Sequence, residues 1–398
     1  MTSRPTVVLS RRGEERLRAG HPWVFGADVA HADAEGPSWV DVLDRKGHRL
    51  GVASYNPGTG LCLRMHGTGT DPLAPAWVER RLAEAFVLRQ AWLPGVEAWR
   101  WVHGEADGLP ALVVDRYAEW LVIQSMSWGS DQLLPGLVEA LVRQIQPRGI
   151  LERSEGFARK LEGLEPRTGV LWGEAPEDTV LIQESGVRYH VDLKSGQKTG
   201  FFLDQRPNRA KLATLAGGKA VLNAFCYSGG FSLPAARAGA TRVTGIDIAA
   251  DALALARRNA VENGVADRCE WIEDNAFDRL RLLQKQGETY DIVVLDPPAF
   301  TKNKASIPGA IRGYKEINLR GMSMVRPGGL LVTSSCSHHM GTETFLEVLA
   351  GAAVDARRRL RVVDVTGPGP DHPSLPGAPE SRYLKCVWAV VEGRDDDE

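Results

Sequence analysis

The sequence predicts an α/β protein. Its C-terminal half reads as a doubly wound, Rossmann-like parallel sheet, preceded by a small, mostly β module and a central α+β region. Three observations carry this. From about residue 191, short apolar runs alternate with helical patterns of ten or more residues, as in a parallel sheet covered on both faces. Before about residue 72, β-type runs are broken by Gly, Pro and Asn, with no helical period. The chain is 398 residues and 43.4 kDa, which exceeds one ordinary core and suits two or three domains.

The elements follow in order. T-V-V-L, W-V-F, W-V-D-V-L, R-L-G-V-A-S-Y and L-C-L-R-M read as the strands of the first module, residues 1–72. T-D-P-L-A-P (70–75) marks its end, and apolar residues three and four apart from Trp77 to Trp92 read as a helix. The central region, 73–190, holds a hairpin, L-P-A-L-V-V-D then W-L-V-I-Q, and a helix near 131–146. In the domain expected over 191–392, strands fall at 220–226, 242–248, 269–273, 290–296 and 329–336, then at R-V-V-D-V and K-C-V-W-A-V-V, with a helix over 251–263.

Composition bounds the class. Hydrophobic residues are 43% and charged residues 25%, a globular balance. No apolar stretch approaches the roughly 18 residues of a membrane span, and the N-terminus lacks a signal-type apolar region, so a cytoplasmic protein is expected. The five cysteines form no C-x-x-C pair and H-E-x-x-H is absent, so neither a disulfide framework nor a metal is expected. Net charge is -2, but residues 392–398 contribute -4, while 194–211 carry +4 and 301–326 carry +5. Such stretches suit a phosphate backbone, although a solvated face is the preferred reading of charge alone. The acidic tail, 393–398, reads as a disordered end.

The chemistry should lie in the last domain. The first strand ends in Y-S-G-G (Tyr227, Ser228, Gly229, Gly230) and enters a helical pattern, a turn where a ligand can approach the backbone closely. Seventeen residues after Gly230, the next strand ends at Asp247, placed to accept both ribose hydroxyls of a nucleoside. The G-x-G-x-x-G order of dehydrogenases is absent, which favours an S-adenosylmethionine pocket over a nicotinamide one. Asp274 and Asn275 follow the third strand; either could accept from an adenine amine, and either could equally cap the next helix. The fourth strand ends in D-P-P-A-F. An acid held there by two prolines is costly for structure alone, so Asp296 reads as functional. Enzymes that methylate exocyclic amines tend to place an aromatic directly after the prolines; here Ala299 intervenes before Phe300, which disfavours that chemistry.

The fifth strand closes with T-S-S-C-S. Neighbouring fourth and fifth strands would open Asp296 and Cys336 on one crevice. Cys62, Cys269 and Cys386 fall inside strand patterns and read as buried, and Cys226 touches the turn beside the nucleoside. A cysteine opposite a methyl donor has a definite use. Carbon 5 of cytosine is a poor nucleophile until a thiolate adds to carbon 6. Asp296 could hold the base by its amine edge, and the basic stretch 301–326 could favour the thiolate. The cytosine must be unpaired or flipped.

K-T-G-F-F-L-D-Q-R (198–206), N-A-F-C-Y-S-G-G-F, L-D-P-P-A-F, R-G-Y-K-E-I-N (312–318) and S-S-C-S together resemble the bacterial 23S rRNA cytosine-C5 methyltransferases, over nearly the whole chain. The resemblance implies an N-terminal PUA-like β-barrel, opened by G-H-P-W-V-F (20–25), and a central α+β domain bearing H-G-E-A-D-G-L-P (103–110). It implies a C-terminal class I methyltransferase domain using S-adenosylmethionine on RNA. Phe202, Gln205 and Arg206 are then candidates for the methionine end of the cofactor, Asp247 for its ribose, Asp296 and Pro297 for further cofactor contacts, Asp296 also for the substrate side as a catalytic residue, and Cys336 for the nucleophile. Asn275 stands where the family's adenine-contact motif is expected to carry Asp, and its amide oxygen can still accept a hydrogen bond. The resemblance leaves oligomeric state open, a homodimer included. The alternatives are a guanine N7 or N2 methyltransferase on the same fold, a non-catalytic RNA-binding protein and, more distantly, a dehydrogenase.

Overall fold

Alternating β-type residues build the first sheet. The structure, a computed structural model, describes residues 4–69, 71–301 and 304–393, so Lys302 of the basic stretch and residues 394–398 of the acidic tail lie outside the described residues. β1 (Thr6–Leu9), β2 (Trp23–Phe25), β3 (Val29–Ala32), β4 (Ser38–Leu43), β5 (Arg49–Tyr55) and β6 (Leu61–Gly67) form one sheet in the order β2-β6-β5-β4-β1-β3. Their inward residues, among them Val7, Leu9, Val40, Val42 and Leu63, make one core. The strand-and-turn reading misses a helix here, α1 (Arg11–Arg18), whose R-R-G-E-E-R-L-R has a single apolar residue and no core-facing stripe. It forms because Ser10 caps Gly13 and because Arg12 and Arg16 pair with the buried Asp28.

The helical period from Trp77 yields α2 (Pro75–Trp92), followed by β7 (Ala98–His103), β8 (Leu112–Tyr117), β9 (Trp120–Ser125), α3 (Trp128–Ile145), β10 (Gly149–Ser154), α4 (Phe157–Leu161) and β11 (Arg167–Gly173). The strands form a sheet in the order β11-β10-β9-β8-β7, and Trp77, Trp99, Trp101, Leu137 and Leu141 fill its core. The expected hairpin is β8 to β9, with Ala118 in the left-handed region (φ 53°) at the turn. β12 (Val180–Glu184) and β13 (Val187–Val191) form a second hairpin.

The chain divides into two compact units. One comprises Met1–Ile182, Asp192–Leu203 and Pro370–Ser381; the other comprises Gln183–Val191, Asp204–Gly369 and Arg382–Glu398. The β module and the α+β region thus share a unit, and their boundary with the C-terminal domain is interleaved rather than falling at a single point near 190. Residues 370–381 join the first unit through Asp371, which accepts from Arg100 N (3.0 Å) and whose carbonyl accepts from Arg89 (3.1 Å).

The second unit carries a seven-stranded sheet built from β14 (Ala220–Ala224), β15 (Arg242–Asp247), β16 (Cys269–Glu273), β17 (Tyr290–Leu295), β18 (Val325–Ser335), β19 (Arg359–Thr366) and β20 (Lys385–Glu392). The order is β16-β15-β14-β17-β18-β20-β19, parallel except for β20, which runs antiparallel to both neighbours. α5 (Arg206–Leu215), α6 (Ser232–Arg237), α7 (Ala250–Glu262), α8 (Ala276–Lys285), α9 (Ile307–Met324) and α10 (Thr342–Asp355) accompany it. Val221, Leu222 and Val293–Leu295 are fully or almost fully buried, as a sheet covered on both faces requires. From β14 the chain winds outward to β15 and β16, then resumes on the other side with β17 and β18. The strand order therefore switches between β14 and β17, where such sheets bind ligands beyond their carboxyl ends.

Candidate active site

At the carboxyl end of β14 the F-C-Y-S-G-G turn is held in an unusual conformation. Phe225 (φ 63°), Tyr227 (φ 50°) and Gly229 (φ 88°) have positive φ. Such strain costs about 1–3 kcal/mol per non-glycine residue and persists where surrounding structure enforces it, commonly at ligand sites. Asp247, at the end of β15, enforces it here: one carboxylate oxygen accepts from Tyr227 N (2.8 Å) and the other from Ala249 N (3.0 Å). The Ser228 carbonyl accepts from Asn259 (3.2 Å) and that of Gly230 from the Tyr189 hydroxyl (3.2 Å). Each Asp247 oxygen keeps a second acceptor position. A carboxylate with two such positions, beside a turn of strained backbone, fits the ribose of a nucleoside cofactor.

Asp274 and Asn275 follow β16. Asn275 is the N-cap of α8, its side-chain oxygen accepting from Phe277 N (2.9 Å). Asp274 pairs with Arg279 (2.9 Å) and accepts from Asn275 N (2.7 Å). The capping arrangement is therefore present, and it leaves both side chains an acceptor position.

On the other side of the switch point, parallel pairing of Leu295 with Thr333 sets the ends of β17 and β18 side by side. Asp296 and Cys336 each lie one residue beyond their strand, and the loop that follows Asp296 reaches the thiol: Cys336 Sγ is 3.9 Å from the carbonyl oxygen of Pro297. Asp296 accepts from the Gln205 amide (2.9 Å), which also reaches Ser334 (3.2 Å) and whose oxygen takes Asn208 Nδ2 (2.6 Å). Gln205 is buried and spends its side chain on the acid of the D-P-P loop, a positioning role that its place in K-T-G-F-F-L-D-Q-R does not disclose. Phe300 is packed between Phe277 and Tyr314, with centroids 5.8 and 4.6 Å away, while Ala299 is exposed.

The five thiols are not equivalent. Burial pushes Cys62 and Cys269 up to about 11 and Cys386 to about 12, and raises Cys226 well above its ordinary value, with Asp247 adding to the effect. Cys336 is half-buried, at the mouth of the sheet. Three cations of the basic stretch expected to favour its thiolate pair with acids: Lys315 with Asp355, Arg320 with Glu316 and Arg326 with Asp291. A cation beside the Cys336 turn is Lys385, at the start of β20, whose Nζ donates to the carbonyls of Ser337 (2.8 Å) and Met340 (2.5 Å). The sequence reading places Lys385 in a strand without a role. Its signal is a lysine opening a run of apolar residues that are otherwise buried.

The second basic stretch is matched in the same way. Arg206 and Arg209 both pair with the buried Glu184, and Lys211 pairs with Asp364. Arg206, expected at the methionine end of a cofactor, is thus 3.3 Å from a carboxylate. Phe202 belongs to the first unit, where the Lys198 ammonium lies 4.6 Å from its ring centre.

Comparison with known proteins places this geometry in a family. Residues 164–382 match the S-adenosylmethionine-dependent methyltransferase family and residues 7–66 a PUA-like domain. A protein of Photobacterium profundum named ribosomal RNA large subunit methyltransferase I is 38% identical over 394 residues, covering 97% of this chain and 99% of the relative. Its namesake from Shewanella denitrificans is 40% identical over 392 residues, covering 96% and 99%. Among solved structures, a protein from Streptococcus mutans described as a SAM-dependent methyltransferase superposes with a TM-score of 0.85 at 21% identity, over 97% of this chain and 99% of that one. At that identity the likeness concerns the fold. The strained turn, the aspartate beside it and the crevice at the switch point therefore have a common explanation: the chain belongs to the ribosomal RNA large subunit methyltransferase I family and is an S-adenosylmethionine-dependent methyltransferase with a PUA-like N-terminal domain.

Proposed function

We propose that the protein forms 5-methylcytidine in 23S rRNA of the large ribosomal subunit, with Cys336 as covalent nucleophile. The observation that carries this is the approach of Cys336 Sγ to the D-P-P loop, 3.9 Å from the Pro297 carbonyl, just beyond the ends of β18 and β17, while desolvation raises the other four thiols. The relatives' names support an rRNA substrate.

S-adenosylmethionine, when bound, supplies a methyl group on a sulfonium centre. Asp247 accepts the ribose hydroxyls on its remaining lone pairs, the turn Tyr227–Ser228–Gly229–Gly230 lies alongside, and Asp274 or Asn275 accepts from the adenine amine. The Cys336 thiolate adds to carbon 6 of the cytosine, which raises electron density at carbon 5. Asp296, held by Gln205, accepts from the exocyclic amine and orients the ring, with Pro297 keeping its loop rigid. Carbon 5 would take the methyl as the methyl–sulfonium bond breaks, the donor leaving as a neutral thioether; the carbon 5 proton then passes to a base and the bond from carbon 6 to Cys336 Sγ breaks, returning the thiolate. The placing of Ala299 directly after the prolines, with Phe300 packed against Phe277 and Tyr314, supports this reading over exocyclic amine methylation.

The test is bisulfite sequencing of 23S rRNA from cells with the gene, without it, and with Cys336→Ala. A cytosine that loses its mark in both altered strains supports the reading. A methylated guanine in its place, or a mark retained with Cys336→Ala, overturns it.

A further inference from the structure

A lysine without a carboxylate partner among the described residues is buried against the backbone turn that carries the proposed nucleophile. Lys385 opens β20 opposite Ser335 and is 6% exposed. Its ammonium is held by the carbonyls of Ser337 and Met340, the backbone that follows Cys336, and no carboxylate of the described residues pairs with it. From the other side the fully buried Tyr314 of α9 bonds Ser335 Oγ (3.0 Å) and Ser337 Oγ (3.0 Å), the two neighbours of Cys336. Burying a cation on carbonyls alone is costly, and a nearby anion offsets that cost. Desolvation pushes Lys385 down to about 8, and the negative charge of a Cys336 thiolate acts in the opposite sense. Attraction between two charges is mutual, so the ammonium stabilises the thiolate as much as the thiolate stabilises the ammonium.

Resting on the reading of Cys336 as nucleophile, we propose that Lys385 is a positioning residue for methyl transfer: its ammonium ties down the turn that carries Cys336 and supplies the countercharge for the thiolate. The other titratable groups about the turn are Asp296 beyond β17, Tyr314 from α9, Tyr383 before β20, whose ring lies 5.5 Å from that of His338, and His338 and His339 within the turn. Asp296 is an anion in the same crevice and opposes a second negative charge, which is why a fixed cation behind the sulfur matters.

The test is iodoacetamide labelling of Cys336 in the full-length protein across a pH series, followed by mass spectrometry of the peptide containing it. Wild type should label at lower pH than a free cysteine peptide. Lys385→Met should slow Cys336 labelling about tenfold near neutrality and move its rise to higher pH, and Lys385→Arg should restore most of the rate. Calorimetric affinity for S-adenosylmethionine should stay within about twofold in both variants, since Lys385 is not among the cofactor residues. Coincident profiles for wild type and Lys385→Met, or a wild-type profile matching the free peptide, would overturn the proposal; the latter decides it even if Lys385→Met does not fold. Failure of the nucleophile reading is seen separately, as methyl transfer surviving Cys336→Ala with the labelling profiles unchanged.

Discussion

Cys336 Sγ and the carbonyl oxygen of Pro297 are 3.9 Å apart, although 39 residues separate them in sequence. The contact is a consequence of register: Leu295 pairs with Thr333, so the first residues beyond the two strands, Asp296 and Cys336, leave the sheet at the same level. The thiol and the carboxylate are thereby each anchored one residue from the end of a buried strand, which favours a positioned covalent step.

Replacing Cys336 with alanine is expected to lower methyl transfer by roughly a thousandfold or more, the scale seen when a covalent nucleophile is removed. Affinity for S-adenosylmethionine, measured by calorimetry, should be nearly unchanged. Transfer at the wild-type rate would point to the guanine chemistry.

Asp247→Ala releases the Tyr227 turn and, on the proposed reading, removes a charged acceptor from the cofactor ribose. Hydrogen bonds to charged groups contribute about 1.5–3 kcal/mol, so S-adenosylmethionine affinity should fall roughly 10- to 100-fold. Titration calorimetry reads this directly. Unchanged affinity would remove Asp247 from the cofactor site.

Gln205→Met keeps the volume but deletes the amide that links Asp296, Ser334 and Asn208. A loss of about 1–3 kcal/mol is expected in denaturant unfolding, from polar groups left with fewer partners. If Asp296 orients the base, methyl transfer should fall by roughly 10- to 100-fold at saturating cofactor, because small misplacements of a reacting pair are costly. A stability loss with full activity would leave Gln205 a structural role only.

His66 gives the first unit an acid sensitivity. Burial pushes its imidazole down to about 3, while Ser54 lies 3.1 Å away and the Trp39 ring 4.7 Å away. Between the unfolded value near 6.5 and about 3, the unfolded chain binds a proton that the folded chain does not. Stability from this group is therefore complete above about pH 6.5 and falls as pH drops, by up to about 5 kcal/mol on the scale of 1.36 kcal/mol per unit. Thermal melts at pH 7 and pH 5 should show a larger decrease for wild type than for His66→Gln. Equal decreases would show that His66 titrates normally.

Much of the fold is legible locally. The seven strands expected in the last domain are all found, because each is a run of apolar residues bounded by turn chemistry, and the helix expected over 251–263 is found at Ala250–Glu262. α1 is not legible, since it is held by a distant aspartate rather than by an apolar face. At the site, Asp247, Asp296 and Cys336 could be placed because each immediately follows or ends a strand whose neighbour the topology dictates.

The sequence by itself determined the period of each element, the ends of the strands and therefore which side chains open on the switch point, since these depend only on neighbours along the chain. The tertiary structure alone decided which charges are spent and which remain. Glu184, brought in by a hairpin, takes the charge of Arg206 and Arg209; acids on other elements take that of Lys315 and Arg326; Lys385, on an antiparallel strand 49 residues beyond Cys336, ends up behind the thiol. Electrostatic pairing depends on distance and burial in three dimensions, which a count of charge along a stretch does not contain.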